Sequence, residues 1–262
     1  MQEAPAGALH WIGKIMTFKT LFPVLATTAL VALSLPALAE GTTEAAPAAD
    51  ATAAAPAAAK GPNVKSSATG TKGAVATLAL AQDLYTLGMT NKDALTVLTA
   101  AKLAGSVEVK ETERKKDTKG EPLADQTDGV DAPVDAATML ASAKELAGED
   151  ETLTGLIEDV VAEGSRGRIG GTSSTLSRLP AGQTDVWEIP FYGDSYAELA
   201  VLGDGDANLD VLVTDENGNT ICYDVSWSDK IYCDFVPSWN GYFYVTVQNN
   251  GSSRNSYYLM TN

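Results

Sequence analysis

Between Leu202 and Ile221 the chain reads LGDGDANLDVLVTDENGNTI, a stretch dense in oxygen-bearing side chains. Asp204, Asp206 and Asn208 match positions one, three and five of a calcium-binding loop, and Asp215 matches its final ligand. Position six, where such a loop turns sharply on glycine, is Leu209, which instead opens the alternating strand Leu209, Val211, Val213. The stretch is therefore not an EF-hand. A calcium site at the edge of a β-sandwich is the other chemistry open to it, with Asp204, Asp206, Asp210 and Asp234 as expected ligands. The competing explanation is that Asp and Asn are simply good turn residues. Residues 182–262 hold twelve acidic residues and two basic ones, a repulsion that a bound cation would relieve.

Most hydrolase mechanisms are closed to this chain. Its one histidine, His10, precedes the expected cleavage site, so the mature protein lacks a histidine base or imidazole ligand. A hydrolase built on paired carboxylates needs none, and Glu188, Glu198 and Asp194 are its nominal candidates, but no spacing singles them out. The expectation is a protein that is not an enzyme. Cys222 and Cys233 are expected to pair in an exported chain. They would lie opposite each other in a tight hairpin centred on Trp227-Ser228, or tie two sheets together if their strands part. Either way the short loop gives a stabilisation of roughly 2–3 kcal/mol. Trp227 and Trp239, with Tyr242 and Tyr244, could form an aromatic platform for a glycan or protein, or pack structurally.

The elements that would position these residues follow in order. Met16 to Ala39 has the parts of a secretory signal: Lys19, the apolar run Leu21 to Leu35, and Ala37-Leu38-Ala39. Met16 is the expected initiator, residues 1–15 being an over-long start within the 1–39 export segment, and Met16 to Ala39 are expected to be removed on export to the periplasm or beyond. No membrane insertion is expected after cleavage, since the apolar run falls short of the roughly 20 residues of a span. Residues 40–73, rich in Ala, Pro and Thr, read as a disordered tether. Residues 74–164 read as a small α-helical region. Two helices are expected from Ala74 to about Gly88 and from a Thr90–Asp93 capping box to Ala104, and two more over Val134–Ala147 and Glu149–Glu163. The charged stretch 108–131 reads as a solvated loop. Asp93-Ala-Leu-Thr-Val-Leu98 and Asp135-Ala-Ala-Thr-Met-Leu140 align as a faint repeat, either a duplicated helix hairpin or chance. Residues 165–179 read as a Gly/Ser linker.

From about residue 180 β-branched and aromatic residues alternate between turn signals. Seven strands are expected: 185–191, 196–202, 209–214, 220–225, 230–235, 242–248 and 256–261. Asn217-Gly218 suits a two-residue hairpin turn with positive φ at both positions. Seven short strands in so short a span suit an antiparallel β-sandwich. The segments Asn208 to Gly218 (NLDVLVTDENG), Pro237 to Val247 (PSWNGYFYVTV) and Tyr257 to Leu259 (YYL) resemble the bacterial pre-peptidase C-terminal domain family. The resemblance covers residues 180–262 only. It implies a jelly-roll-like β-sandwich of the kind appended to secreted peptidases, some of whose members bind calcium or polymers such as collagen. No peptidase precedes the module here.

The fold class expected is thus α+β and multidomain: tether, helical region, and C-terminal antiparallel β-sandwich. The function expected is that of an exported, non-enzymatic binding or stabilising module, calcium-dependent if the acidic turn is a site, acting on a protein or extracellular polymer. A formal charge of −16, from 34 acidic and 18 basic residues, argues against nucleic acid as a partner. The alternative is a helical assembly protein carrying the β domain as an export or maturation tail.

Overall fold

The computed structural model describes residues 61–66, 70–163 and 169–262. The expected signal and most of the expected tether lie outside the described residues. The described residues fall within one compact unit, the helices packed on the sandwich. Its helices are α1 (Ala74–Asn91), α2 (Ala94–Gly105), α3 (Ala136–Ala147) and α4 (Glu151–Glu163). Its strands are β1 (Val107–Glu111), β2 (Lys116–Lys119), β3 (Ile169–Leu179), β4 (Thr184–Phe191) and β5 (Ala197–Gly203). They continue with β6 (Leu209–Asp215), β7 (Thr220–Asp224), β8 (Lys230–Phe235), β9 (Gly241–Asn249) and β10 (Asn255–Thr261).

All seven expected strands form, and they pair antiparallel where they meet. One sheet has the order β1-β3-β10-β5-β8 and the other β2-β4-β9-β6-β7. Between them lies a core that includes Trp187, Leu199, Val201, Val211, Val213, Phe243, Val245, Val247 and Leu259. Alternation does this: on β6, Leu209, Val211 and Val213 point in while Asp210, Leu212 and Thr214 point out. On β5 every residue is buried. Its outer side is covered as well, because Ala74, Val75 and Leu78 of α1 pack on Ala200, Leu202 and Met260.

Three expectations about the connecting segments change. The charged stretch 108–131, expected to be a solvated loop, supplies β1 to one sheet, in a parallel pairing with β3, and β2 to the other. Its strands are mostly exposed, so apolar periodicity could not mark them. The Gly/Ser stretch expected as a linker is, from Ile169, the long strand β3. Finally, part of the tether is docked. Asn63 is fully buried: its N–H donates to Asp215 (2.8 Å), and its Oδ1 accepts the N–H groups of Ser238 and Trp239 (both 3.0 Å).

Helix and turn details follow similar physics. Gly88 does not end α1; a Cβ there would sit 2.6 Å from Val97 Cγ2, so glycine permits the close α1–α2 approach. The helix ends at Lys92, with φ 53°. The α2 cap is Asp93 alone, accepting from Leu95 and Thr96 N–H, while Thr90 donates back to the Thr86 carbonyl. Asp135 caps α3 at the equivalent place in the repeat. Cap hydrogen bonds, led by Thr96 for Asp93 and Thr138 for Asp135, hold both carboxyls below the usual aspartate range. At Asn217-Gly218 only Gly218 has positive φ (81°). The turn is longer than two residues, organised by Asp215, whose Oδ1 accepts from Asn217 N–H (2.9 Å) and Asn219 N–H (2.8 Å).

Both open sides of the sandwich are stapled. Cys222 on β7 and Cys233 on β8 form a disulfide between the two sheets, with Cα atoms 6.4 Å apart. On the other side the connector from β1 to β2 carries Arg114, which donates to Thr175 Oγ1 (2.7 Å), the Leu259 carbonyl (2.9 Å) and Thr261 Oγ1 (2.9 Å). Burial pushes the Arg114 guanidinium below its ordinary value. Beside it lies Asp185, fully buried. It accepts from Lys116 Nζ (3.1 Å), Thr118 Oγ1 (2.5 Å), Ser177 Oγ (2.7 Å) and Tyr257 Oη (2.7 Å).

Removing one partner of a buried ion pair costs about 3–5 kcal/mol. Lys116 keeps 29% of its side-chain exposure, and three hydroxyl donors remain to Asp185. Lys116→Met should therefore cost less, about 2 kcal/mol in denaturant unfolding. Adding Asp185→Asn should restore part of that loss, and strict additivity of the two changes would contradict the coupling.

Candidate functional site

The acidic turn lies between β5 and β6, and its carboxylates are largely engaged by the chain itself. Asp204 accepts from Ser256 N–H (2.6 Å) and Asp206 N–H (3.0 Å), and Asp206 accepts from Val130 N–H (2.8 Å). Asp210, at the start of β6, accepts from Asn208 Nδ2 (3.3 Å) and Asn250 Nδ2 (2.6 Å). Burial raises the Asp204 carboxyl above the usual range, against the backbone donors of Ser256 and Asp206, and the charges of Asp206 and Asp229 add to the rise.

Asp234 does not belong to this group. It pairs in register with Glu198, near the start of β5, whereas Asp204 follows the end of that strand. Six residues of extended chain separate Glu198 from Asp204, roughly 20 Å. Asp234 instead accepts from Tyr196 Oη (2.7 Å). The four expected ligands therefore cannot hold one ion. Nor, among the described residues, do any three His, Cys, Asp or Glu side chains stand as a metal-binding group.

The acidic residue that sequence reasoning missed is Asp229. It comes from the β7–β8 loop and accepts from Gly205 N–H. Asn255, fully buried, donates to the Ala207 carbonyl (3.2 Å) and to Asp229 (3.5 Å). The Oδ1 atoms of Asn208 and Asn255 are buried without a hydrogen-bond partner. No local spacing could have indicated this grouping, since Asp229 reaches the turn from the β7–β8 loop and Asn255 from the start of β10.

The nominal hydrolytic carboxylates are held apart. Glu188 lies on the outer side of one sheet, beside Lys115 Nζ (3.3 Å). Glu198 lies on the outer side of the other sheet. There it accepts from Tyr232 Oη (2.8 Å) and from Gly73 N–H (2.8 Å) at the start of α1. The sandwich, about 10 Å thick, stands between them. Asp194 sits in the β4–β5 turn, paired with Lys65. No pair of these three carboxylates faces a common cleft.

The aromatic residues divide. Trp239 is fixed, its Nε1–H donating to Glu216 Oε1 (2.5 Å) and its backbone clasped by Asn63. Trp227 is 96% exposed in the β7–β8 loop. On the outer face of the second sheet, Leu212 stands in register with Tyr223 on one side and Thr246 on the other, and Thr246 stands opposite Val186. Tyr223 and Tyr242 are 65% and 51% exposed. Among the described residues no helix covers this face, whereas α1 covers the outer face of the first sheet.

No family model matches the chain, and no curated protein does. Among solved structures it is similar to the pre-peptidase C-terminal domain of collagenase from Bacillus anthracis. The identity is 20%, over 36% of this chain and 91% of that one, at a TM-score of 0.30.

Proposed function

We propose that this chain is an exported, non-catalytic binding module whose second sheet presents its outer face to a protein or an extracellular polymer. The observation that carries the reading is the asymmetry of the sandwich. One outer face is buried under α1, while the other holds Leu212, Tyr223 and Tyr242 in solvent. Aromatic side chains on a rigid sheet offer large contact area at little entropic cost. Export is supported by the secretory pattern at the N-terminus and by the Cys222–Cys233 disulfide, a bond that persists in oxidising compartments. The separation of Glu188 from Glu198 supports a role without hydrolysis.

We propose further that calcium binds at the acidic turn, through a donor set different from the expected Asp204, Asp206, Asp210 and Asp234. Asp204 and Asp229, whose charges act on each other, and the unpaired amide oxygens of Asn208 and Asn255 are hard oxygen donors suited to that ion. Their role would be to fix the turn, not to touch a ligand.

Two experiments test these readings. The protein should co-sediment with at least one insoluble polymer from a panel of fibrillar collagen, peptidoglycan and chitin. Tyr223→Ala/Tyr242→Ala should weaken that binding at least tenfold, with stability changed by no more than about 0.5 kcal/mol per site. Unaltered binding by the double variant, or retention on no polymer, would count against the face. For calcium, the wild-type melting temperature should rise by several degrees at millimolar calcium relative to chelator, an increase that Asp204→Asn abolishes. A melting temperature indifferent to calcium would dismiss that part alone.

A further inference from the structure

We infer that the cleft between α1, the segment leading into α3 and the outer face of the first sheet is a binding site for a small amine bearing a short apolar tail. The cleft has a volume of about 420 Å³, within the roughly 300–1,000 Å³ usual for small-molecule sites. It exists because the residues that could fill it are small: Ala104, Ala136 and Ala137 line it where the helices pass over the sheet. Gln82 of α1 spans it, donating Nε2–H to the Val134 carbonyl (2.6 Å).

The floor contains an unmet polar group. Ser174 stands in register with Glu111 on one side and Met260 on the other, and it faces the cleft. It is 2% exposed, and its Oγ has no hydrogen-bond partner. Leaving a buried hydroxyl unsatisfied is unfavourable, so a ligand that pairs with it gains affinity that a purely apolar occupant would not.

The charge of the lining selects the ligand class. Glu111 and Asp135 are its ionisable carboxylates, and no lysine or arginine lines it. Asp135 uses Oδ1 to accept the Thr138 N–H (2.8 Å). Burial raises the Tyr258 hydroxyl above its ordinary value, and the charges of Asp135 and Glu111 raise it further against the opposing charge of Arg178, which lies outside the lining. An ammonium group has three donors and no acceptor, matching the acceptors Glu111, Asp135 and Ser174 Oγ. Leu78, Val109, Leu202 and Met260 provide the apolar wall for its tail. An anion would meet two like charges. A neutral alcohol could pair with Ser174 but would gain no charge attraction from either carboxylate.

The test uses the full mature protein and three probes of similar shape: 2-phenylethylammonium, 2-phenylethanol and 3-phenylpropanoate, followed by NMR titration. The ammonium should bind saturably, the alcohol at least tenfold more weakly, and the carboxylate not detectably. Glu111→Gln should weaken ammonium binding about tenfold with an unchanged melting temperature, and Ala104→Phe should abolish binding by filling the cleft. Equal binding of amine and alcohol, insensitivity to Glu111→Gln, or failure of the ammonium to bind would each overturn the assignment. None of these outcomes bears on the aromatic face of the other sheet.

Discussion

Asp185 is a carboxylate enclosed between two sheets, and its nearest cationic partner, Lys116, arrives from outside the seven-stranded segment that contains it. Burying a carboxylate is tolerable only when charge and hydrogen bonds compensate it. Tyr257 links the site to the core by donating to Asp185 while accepting from Trp187 Nε1 (2.7 Å). Burial first, and then the charge of Asp185, push the Tyr257 hydroxyl well above its ordinary value, so it stays a donor. The pairing of β2 with β4 is the backbone consequence of meeting this one requirement.

The same arrangement recurs twice. Glu198 is buried on the outer side of the first sheet and accepts a backbone N–H at the start of α1, where the helix dipole favours negative charge. Asp215 is buried at the end of β6. Burial alone would raise its carboxyl, but donors from Asn219, Asn63 and Asn217 outweigh that and hold it below the usual range. In each case a carboxylate of the sandwich is satisfied by a segment earlier in the chain: β2, the start of α1, or the docked residues around Asn63. With the Arg114 clasp on one side and the disulfide on the other, these contacts make one unit of what composition divides into three.

This explains which parts were legible in the sequence. The seven strands announce themselves because Leu209-Val211-Val213 and Phe243-Val245-Val247 alternate against outward polar residues between strong turn signals. β2 does not, since Lys116-Asp-Thr-Lys119 is exposed along its length and is held by hydrogen bonds that no periodicity records. β3 was hidden by its glycines and serines, and its burial keeps no single period: Thr172 and Ser174 are buried, then Ser177 and Leu179 at the opposite parity. The acidic turn was visible as a turn. Its companions Asp229 and Asn255 were not, because tertiary pairing alone brings them there, and the same pairing removes Asp234.

The functional reading rests on the same asymmetry. The earlier segments cover one sheet and leave a cleft beneath the helices, while the opposite sheet keeps an open aromatic face. If the earlier segments are integral, residues 180–262 are not an autonomous domain. The direct measurement is thermal unfolding of residues 180–262 alone against residues 61–262, both with the disulfide formed. The shorter chain should show no cooperative transition, or one far below that of the longer chain, because Asp185, Glu198 and Asp215 each lose a partner. A cooperative transition at the same temperature in both would contradict the account.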